Sequence, residues 1–249
     1  MKKAPIYSSL LFIIVLLLWE MAAKGMPELI LPAPSVILAT LLEGVKSGYY
    51  TDHIIRTGLE IVLGLFFGSI LGVAAGIWMG EIEFIRKLLF PYVIASQAVP
   101  KLALAPLFIL WFGFGMTSKV VITALICFFP LLENTLTAIQ YTDPKKIELF
   151  RVLGATRWQT LYKLKIPAGL PSIMAGFRVA AVLAIVGAVV GEFIGGSEGL
   201  GAMIIASQGM MDTPLMFSVL FIITIMGTVL YQIIYFIEKR LFRYQNQKD

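Results

Sequence analysis

Six apolar stretches alternate with short polar segments along the chain, at roughly Tyr7–Ala23, Thr57–Met79, Leu88–Trp111, Lys119–Ile139, Leu170–Ile194 and Pro214–Ile237. As a helix, each is long enough to cross a hydrocarbon core of about 30 Å. None shows the short, strictly alternating segments of a membrane β-barrel. The pattern predicts an all-α polytopic membrane protein: a single transmembrane domain over residues 1–249 with about six spanning helices. The third stretch carries Pro91, Pro100 and Pro106, so a kink or break is expected within it. After the first stretch, Ser35 is expected to cap a helix beginning at Val36. Val36, Ile37, Leu41 and Val45 would give that helix one apolar face, suited to the outer membrane surface.

Composition agrees with this class. The chain is 59% hydrophobic and 14% charged, with a mean hydropathy of +0.88, whereas soluble domains carry about 25% charge. The net charge of +5 is therefore read as topology, and no nucleic-acid partner is expected. With the N-terminus inside, the cytoplasmic segments hold fourteen of the twenty Lys and Arg residues. These are Lys2 and Lys3, Arg86 and Lys87, six residues of a basic island between 142 and 168, and Lys239, Arg240, Arg243 and Lys248. Lys24, Lys46, Arg56 and Lys119 fall outside, and Lys101 and Arg178 lie within spans. This bias puts both termini in the cytoplasm. Lys2-Lys3, an apolar run and Ala22-Ala23 have the outline of a signal peptide, but the length of the run and Glu20 favour a retained first span.

Within the spans, Gly64, Gly68, Gly72, Gly76 and Gly80 fall every four residues, and Gly187, Gly191 and Gly195 repeat the device. Small residues at this spacing admit a second helix backbone, in the same chain or across a dimer. Glu20, Glu60, Lys101, Glu133, Arg178 and Glu192 are ionisable groups in or near apolar stretches and need a partner or a water-filled path. Lys101 follows Pro100 at the expected helix break. With Gln97, Pro100, Glu133, Asn134 and Glu192 it makes a candidate translocation path, and an ion pair of Lys101 with Glu133 or Glu192 is the structural alternative. His53, beside Asp52, reads as a surface residue. Cys127 is the single cysteine, so no disulfide or Cys-based metal site is expected. The chain contains no G-x-x-x-x-G-K-[ST], H-E-x-x-H or G-x-S-x-G, so no catalytic or metal residue is assigned and no nucleotide is expected on this chain.

The island Thr142–Ala168 sets six basic residues (Lys145, Lys146, Arg151, Arg157, Lys163, Lys165) against Asp143 and Glu148. Asp143-Pro144 opens a helix, Gly154 breaks it and Pro167 is expected to stop it, giving two short cytoplasmic helices. The order Glu148-Leu149-Phe150, three residues, Gly154, nine residues, Leu164-Lys165-Ile166-Pro167 resembles the conserved loop of bacterial ABC importer permeases. That loop reads E-A-A, three residues, G, nine residues, I-x-L-P; here Leu149 and Phe150 replace the alanines. LPAPSVI, FILWFGFGMTSK, FPLLENT and VVGEFIGGSEGLG are similar to permeases of the nitrate, sulfonate and taurine importer group, whose relatives handle thiamine-precursor pyrimidines and riboflavin. The resemblance implies a methionine-permease-like core of five helices plus an N-terminal span, placed in the bacterial inner membrane among lipid. It also implies a homodimer, an ABC ATP-binding subunit that carries ATP and magnesium, and a periplasmic or lipoprotein solute-binding protein. Glu148, Phe150, Leu153, Gly154, Ala155, Trp158 and Pro167 would then be the ATPase-coupling residues, and Gly154→Asp would uncouple transport. The alternative is an ion-coupled secondary transporter or channel working without an ATPase.

Overall fold

A computed structural model describes residues 4–242 of the chain, and every regular element among them is helical. The elements are α1 (Ala4–Ala23), α2 (Pro34–Ser47), α3 (Thr51–Glu81), α4 (Glu83–Ala98), α5 (Ala105–Phe112), α6 (Met116–Gln140), α7 (Pro144–Val152), α8 (Arg157–Thr160), α9 (Ile166–Gly195), α10 (Leu200–Gly209) and α11 (Thr213–Phe242). Lys2, Lys3, Arg243 and Lys248 of the charge argument lie outside the described residues.

The glycine rows set the packing. A Cβ on Gly64 would lie 2.4 Å from Thr123, one on Gly72 2.6 Å from the Phe128 carbonyl oxygen, and one on Gly80 2.7 Å from Ile139. The contacts advance together along both helices, so α3 and α6 run parallel at backbone contact. The partner of the glycine row is thus a helix of the same chain. Antiparallel to them, α9 packs on α6, with Gly187 at Thr123, Gly176 at Asn134 and Gly169 at Ala138. The middle helix α6 accordingly buries thirteen residues along its length.

Two parallel helices need a return crossing, and α4 with α5 supplies it. The expected break is an 85° bend between Glu83–Ala98 and Lys101–Phe112. Pro91 sits inside α4 without ending it. The chain breaks at Val99, which is extended (ψ 126°) because it precedes Pro100. Pro106 lies in the first turn of α5, where its missing N–H costs nothing.

Three expectations are corrected. Ser35 does not cap α2, which starts at Pro34, two residues before the expected Val36, with Ala33 in the cap position. The Ser35 hydroxyl and N–H instead donate to Glu20 (2.8 and 3.1 Å), tying α1 to α2. Pro167 does not stop a helix: residues 157–195 form one continuous 39-residue helical span. A π-helical turn at Leu161–Lys165 precedes the proline and widens the spiral where its ring would crowd the previous turn. Finally, α10 has no counterpart among the apolar runs read from sequence; it is ten residues long, too short to cross the core alone.

Candidate functional site

At one end of the bundle, residues 142–168 build a knob. The Asp143 carboxylate accepts the Lys145 N–H at 2.9 Å and caps α7, with Pro144 in its first turn. After Leu153, Gly154 takes φ +73°. The Gly154 N–H donates to Arg151 (3.0 Å) and the Ala155 N–H to Phe150 (2.9 Å), a Schellman closure of the helix. Thr156 then opens α8 with a reciprocal capping box with Gln159 (3.2 and 2.8 Å). A Cβ on Gly154 would meet nothing within 4 Å. Glycine is required here for its left-handed backbone, and close approach plays no part.

This hinge holds out an apolar tip: Leu149, Val152, Leu153 and Trp158 are 55%, 76%, 73% and 68% exposed. Trp158 stacks on Tyr162 at 6.2 Å between ring centroids. Phe150 and Ala155 are half-buried behind the tip. Glu148 pairs with Arg151 at 3.1 Å, both exposed, so this pair orders the surface more than it stabilises it. The knob is fixed to the bundle by Lys165 and Glu81, 2.6 Å apart and mostly shielded. Pro167 lies in the first turn of α9, beneath the knob.

The candidate path residues separate into groups. Gln97 and Pro100 are exposed where α4 ends. Lys101 places its ammonium 3.8 Å from the centre of the Phe129 ring, a cation–π contact. No ion pair joins it to Glu133 or Glu192 among the described residues. Glu133 is exposed one helical turn beyond Phe129 and shares its face. Asn134 turns toward α9 instead: its amide donates back to Pro130 at 2.8 Å and its backbone oxygen accepts from Ser172 at 3.0 Å. Arg178 pairs with Glu238 of α11, so it braces two helices.

Glu192 belongs to a buried cluster at the end of the bundle opposite the knob. Glu60 and Glu192 are 0% exposed and Lys119 is 2% exposed. The Lys119 ammonium lies 3.2 Å from Glu60 and donates to the Glu198 carbonyl at 3.3 Å. The Thr57 hydroxyl donates to Glu192 (2.6 Å) while accepting the Leu200 N–H (2.8 Å), and the Gly201 N–H donates to the other Glu192 oxygen (2.6 Å). The Gly199 N–H donates to His53 Nδ1 at 3.0 Å, so His53 is a half-buried latch and no plain surface residue. Together these groups pin the loop leading into α10 onto α3 and α6. Sequence reasoning flagged both glutamates and put Lys119 on the outer side, but it did not pair Lys119 with Glu60, which lies on another helix. Among the described residues, no group of three or more His, Cys, Asp or Glu could hold a metal ion.

Comparison with known proteins places this architecture. Residues 64–243 match the family described as "Binding-protein-dependent transport system inner membrane component". The chain is 37% identical to the formylaminopyrimidine transport permease protein of Halalkalibacterium halodurans over 88% of each chain. It is 37% identical to the riboflavin transport system permease protein of Chloroflexus aurantiacus, over 93% of this chain and 87% of that one. Identity to the taurine transport system permease protein of Escherichia coli is 29%, over 85% and 79%. The fold is similar to a chain in an inward-facing structure of the MetNI methionine ABC transporter, with a TM-score of 0.69 at 17% identity, covering 77% of this chain and 95% of that one.

Proposed function

Since this chain belongs to the family of binding-protein-dependent transport system inner membrane components, we propose that its exposed knob is the seat of the ATP-binding subunit. The chain is the transmembrane permease subunit of an ATP-driven importer and is not itself an enzyme. An ATPase and a solute-binding protein are its partners by family. The observation that supports the seating is the apolar tip Leu149–Leu153–Trp158, held out at a polar end of the molecule. An exposed apolar patch rimmed by charge marks a protein contact. Glu148 and Gly154 shape the tip, Phe150 and Ala155 back it, and Pro167 lies where the knob passes into α9. ATP and magnesium reside in the partner subunit, whose closure pushes the knob; α6 and α9, which flank it, carry that motion into the bundle.

In this reading the knob and both termini are cytoplasmic, two copies of the chain enclose the path, and lipid covers the rest. Gln97, Pro100, Lys101 and Glu133 lie on the path side, with Asn134 and Glu192 behind them as supports. The solute is a small organic molecule of the kind carried by the relatives, a formylaminopyrimidine, riboflavin or sulfonate such as taurine. A thermal-shift screen of the cognate binding protein against these classes identifies it. Family membership sets aside a carrier that works without an ATPase.

The structure sharpens the test of the hinge. Left-handed backbone costs an L-residue about 1–2 kcal/mol, and Asn and Asp tolerate it best. Asp at Gly154 is therefore a mild probe, and Val is the severe one. Gly154→Val is expected to leave the bundle folded and to cut ATP-driven uptake about tenfold in vesicles containing the assembled transporter, while Gly154→Asn keeps most of it. Wild-type uptake by the Val variant would remove the hinge from the coupling path.

A further inference from the structure

Two cavities meet beside the knob. One, of about 490 Å3, is apolar and runs between the last turns of α3 and α8, walled by Ile77, Trp78, Ile82, Trp158 and Leu161. The other, of about 350 Å3, is polar, and Arg151, Arg157 and Lys165 face it with Glu81 as its single acid. Glu81 and Arg157 line both. Both volumes fall within the span of about 300–1,000 Å3 in which small-molecule sites occur.

The charges are unequally satisfied. Lys165 neutralises Glu81 at 2.6 Å, and Glu148 engages Arg151 at 3.1 Å on the exposed side. Arg157 has no ion-pair partner among the described residues. It stands at the junction of the two cavities, so a free cation sits at the mouth of an apolar cleft. Trp78 is 56% exposed and lies in the last turn of a spanning helix, the depth at which tryptophan gathers at the membrane–water boundary. An occupant that matches all of this has an apolar tail and an anionic head, and reaches the site from the plane of the membrane.

We propose that this double cavity binds an anionic phospholipid, with an acyl chain between α3 and α8 and the phosphate group on Arg157. Basic pockets between helices on the cytoplasmic side are suited to such head groups. The lipid packs under the knob and against the end of α3, and so stiffens the joint between them. The site adjoins the ATPase seat argued above, and Trp158 and Ala155 border both; co-purification with the ATPase tests that seat and is indifferent to lipid.

The experiment uses the assembled transporter in vesicles doped with photoactivatable phosphatidylglycerol or phosphatidylcholine carrying a diazirine in the acyl chain. Adducts are mapped by mass spectrometry. The expected result is labelling of the peptides around Ile77–Ile82 and Leu161, with the anionic lipid favoured about fivefold, the factor one basic residue near the surface supplies. Arg157→Gln should abolish the preference and Arg157→Lys should keep most of it. Equal labelling by both lipids, which means ordinary annular solvent, would overturn the proposal. So would a preference that survives Arg157→Gln, or protection of these peptides in the assembled transporter but not in the chain alone, which means the ATPase fills the cleft.

Discussion

Gly72→Leu will prevent α3 and α6 from seating against each other, and the purified chain will lose its resistance to denaturation in micelles. Even the Cβ of alanine at this position would stand 2.6 Å from the Phe128 carbonyl oxygen and 2.9 Å from the Leu131 Cβ. The first of these is backbone, which cannot rotate aside. Overfilling a packed interior costs about 1–3 kcal/mol per site, so Gly72→Ala should already lower the unfolding midpoint. Leucine adds three carbons to the same clash and must force the helices apart along the row, because Gly68 and Gly76 meet α6 backbone oxygens at 2.6 and 2.7 Å. The control is Gly58→Ala in the same helix, whose Cβ would come no nearer than 3.8 Å to the end of Met226. There alanine should be neutral or stabilise by about 0.5–1 kcal/mol, the gain from replacing a mid-helix glycine. If the alanine variants at 58 and 72 behave alike, helix propensity and not close packing explains the row.

That row also shows what could be read in advance. Glycines every four residues encode a groove, because the helix period alone aligns them. They do not encode what fills the groove. The filler is α6, which presents Thr123, Ala124, Phe128, Thr135 and Ile139 to it, and nothing in its own apolar pattern marks those positions. The knob was legible for a similar reason: Asp143, Gly154 and the capping pair act over a few residues, so spacing determines geometry. The fate of Pro167 was hidden because a π-helical turn lets a helix pass through a proline at a site that local rules read as a stop. The burial of Lys119 was hidden because it depends on a carboxylate brought in by another helix, and long-range pairing leaves no mark in a hydropathy profile. The ten-residue α10 was missed because its placement depends on the hydrogen bonds that Thr57, Glu192 and His53 make to its leading loop.

Lys119→Met is expected to be the most damaging single change outside the glycine row. Methionine keeps much of the side-chain length and removes the ammonium, so packing changes little and the electrostatic effect stands out. Glu60 would then face Glu192 in the protein interior with Arg56, 3.5 Å away and partly in solvent, as its remaining cation. Removing one partner of a buried ion pair costs about 3–5 kcal/mol, because the other charge is left in a medium that solvates it poorly. The chain can escape that cost by opening the loop into α10, whose Glu198 carbonyl has lost the Lys119 ammonium and whose Gly201 N–H then leaves Glu192. The signature is therefore a lower unfolding midpoint together with faster amide exchange at residues 196–204. Adding Glu60→Gln to Lys119→Met removes the stranded carboxylate and should restore about 0.5–3 kcal/mol, the range of coupling between contacting groups. Salt should change none of this, since a pair hidden from solvent is hardly screened. Equal stability of the single and double variants would mean that Lys119 acts by filling space, and that the loop is held by Thr57 and Glu192 alone.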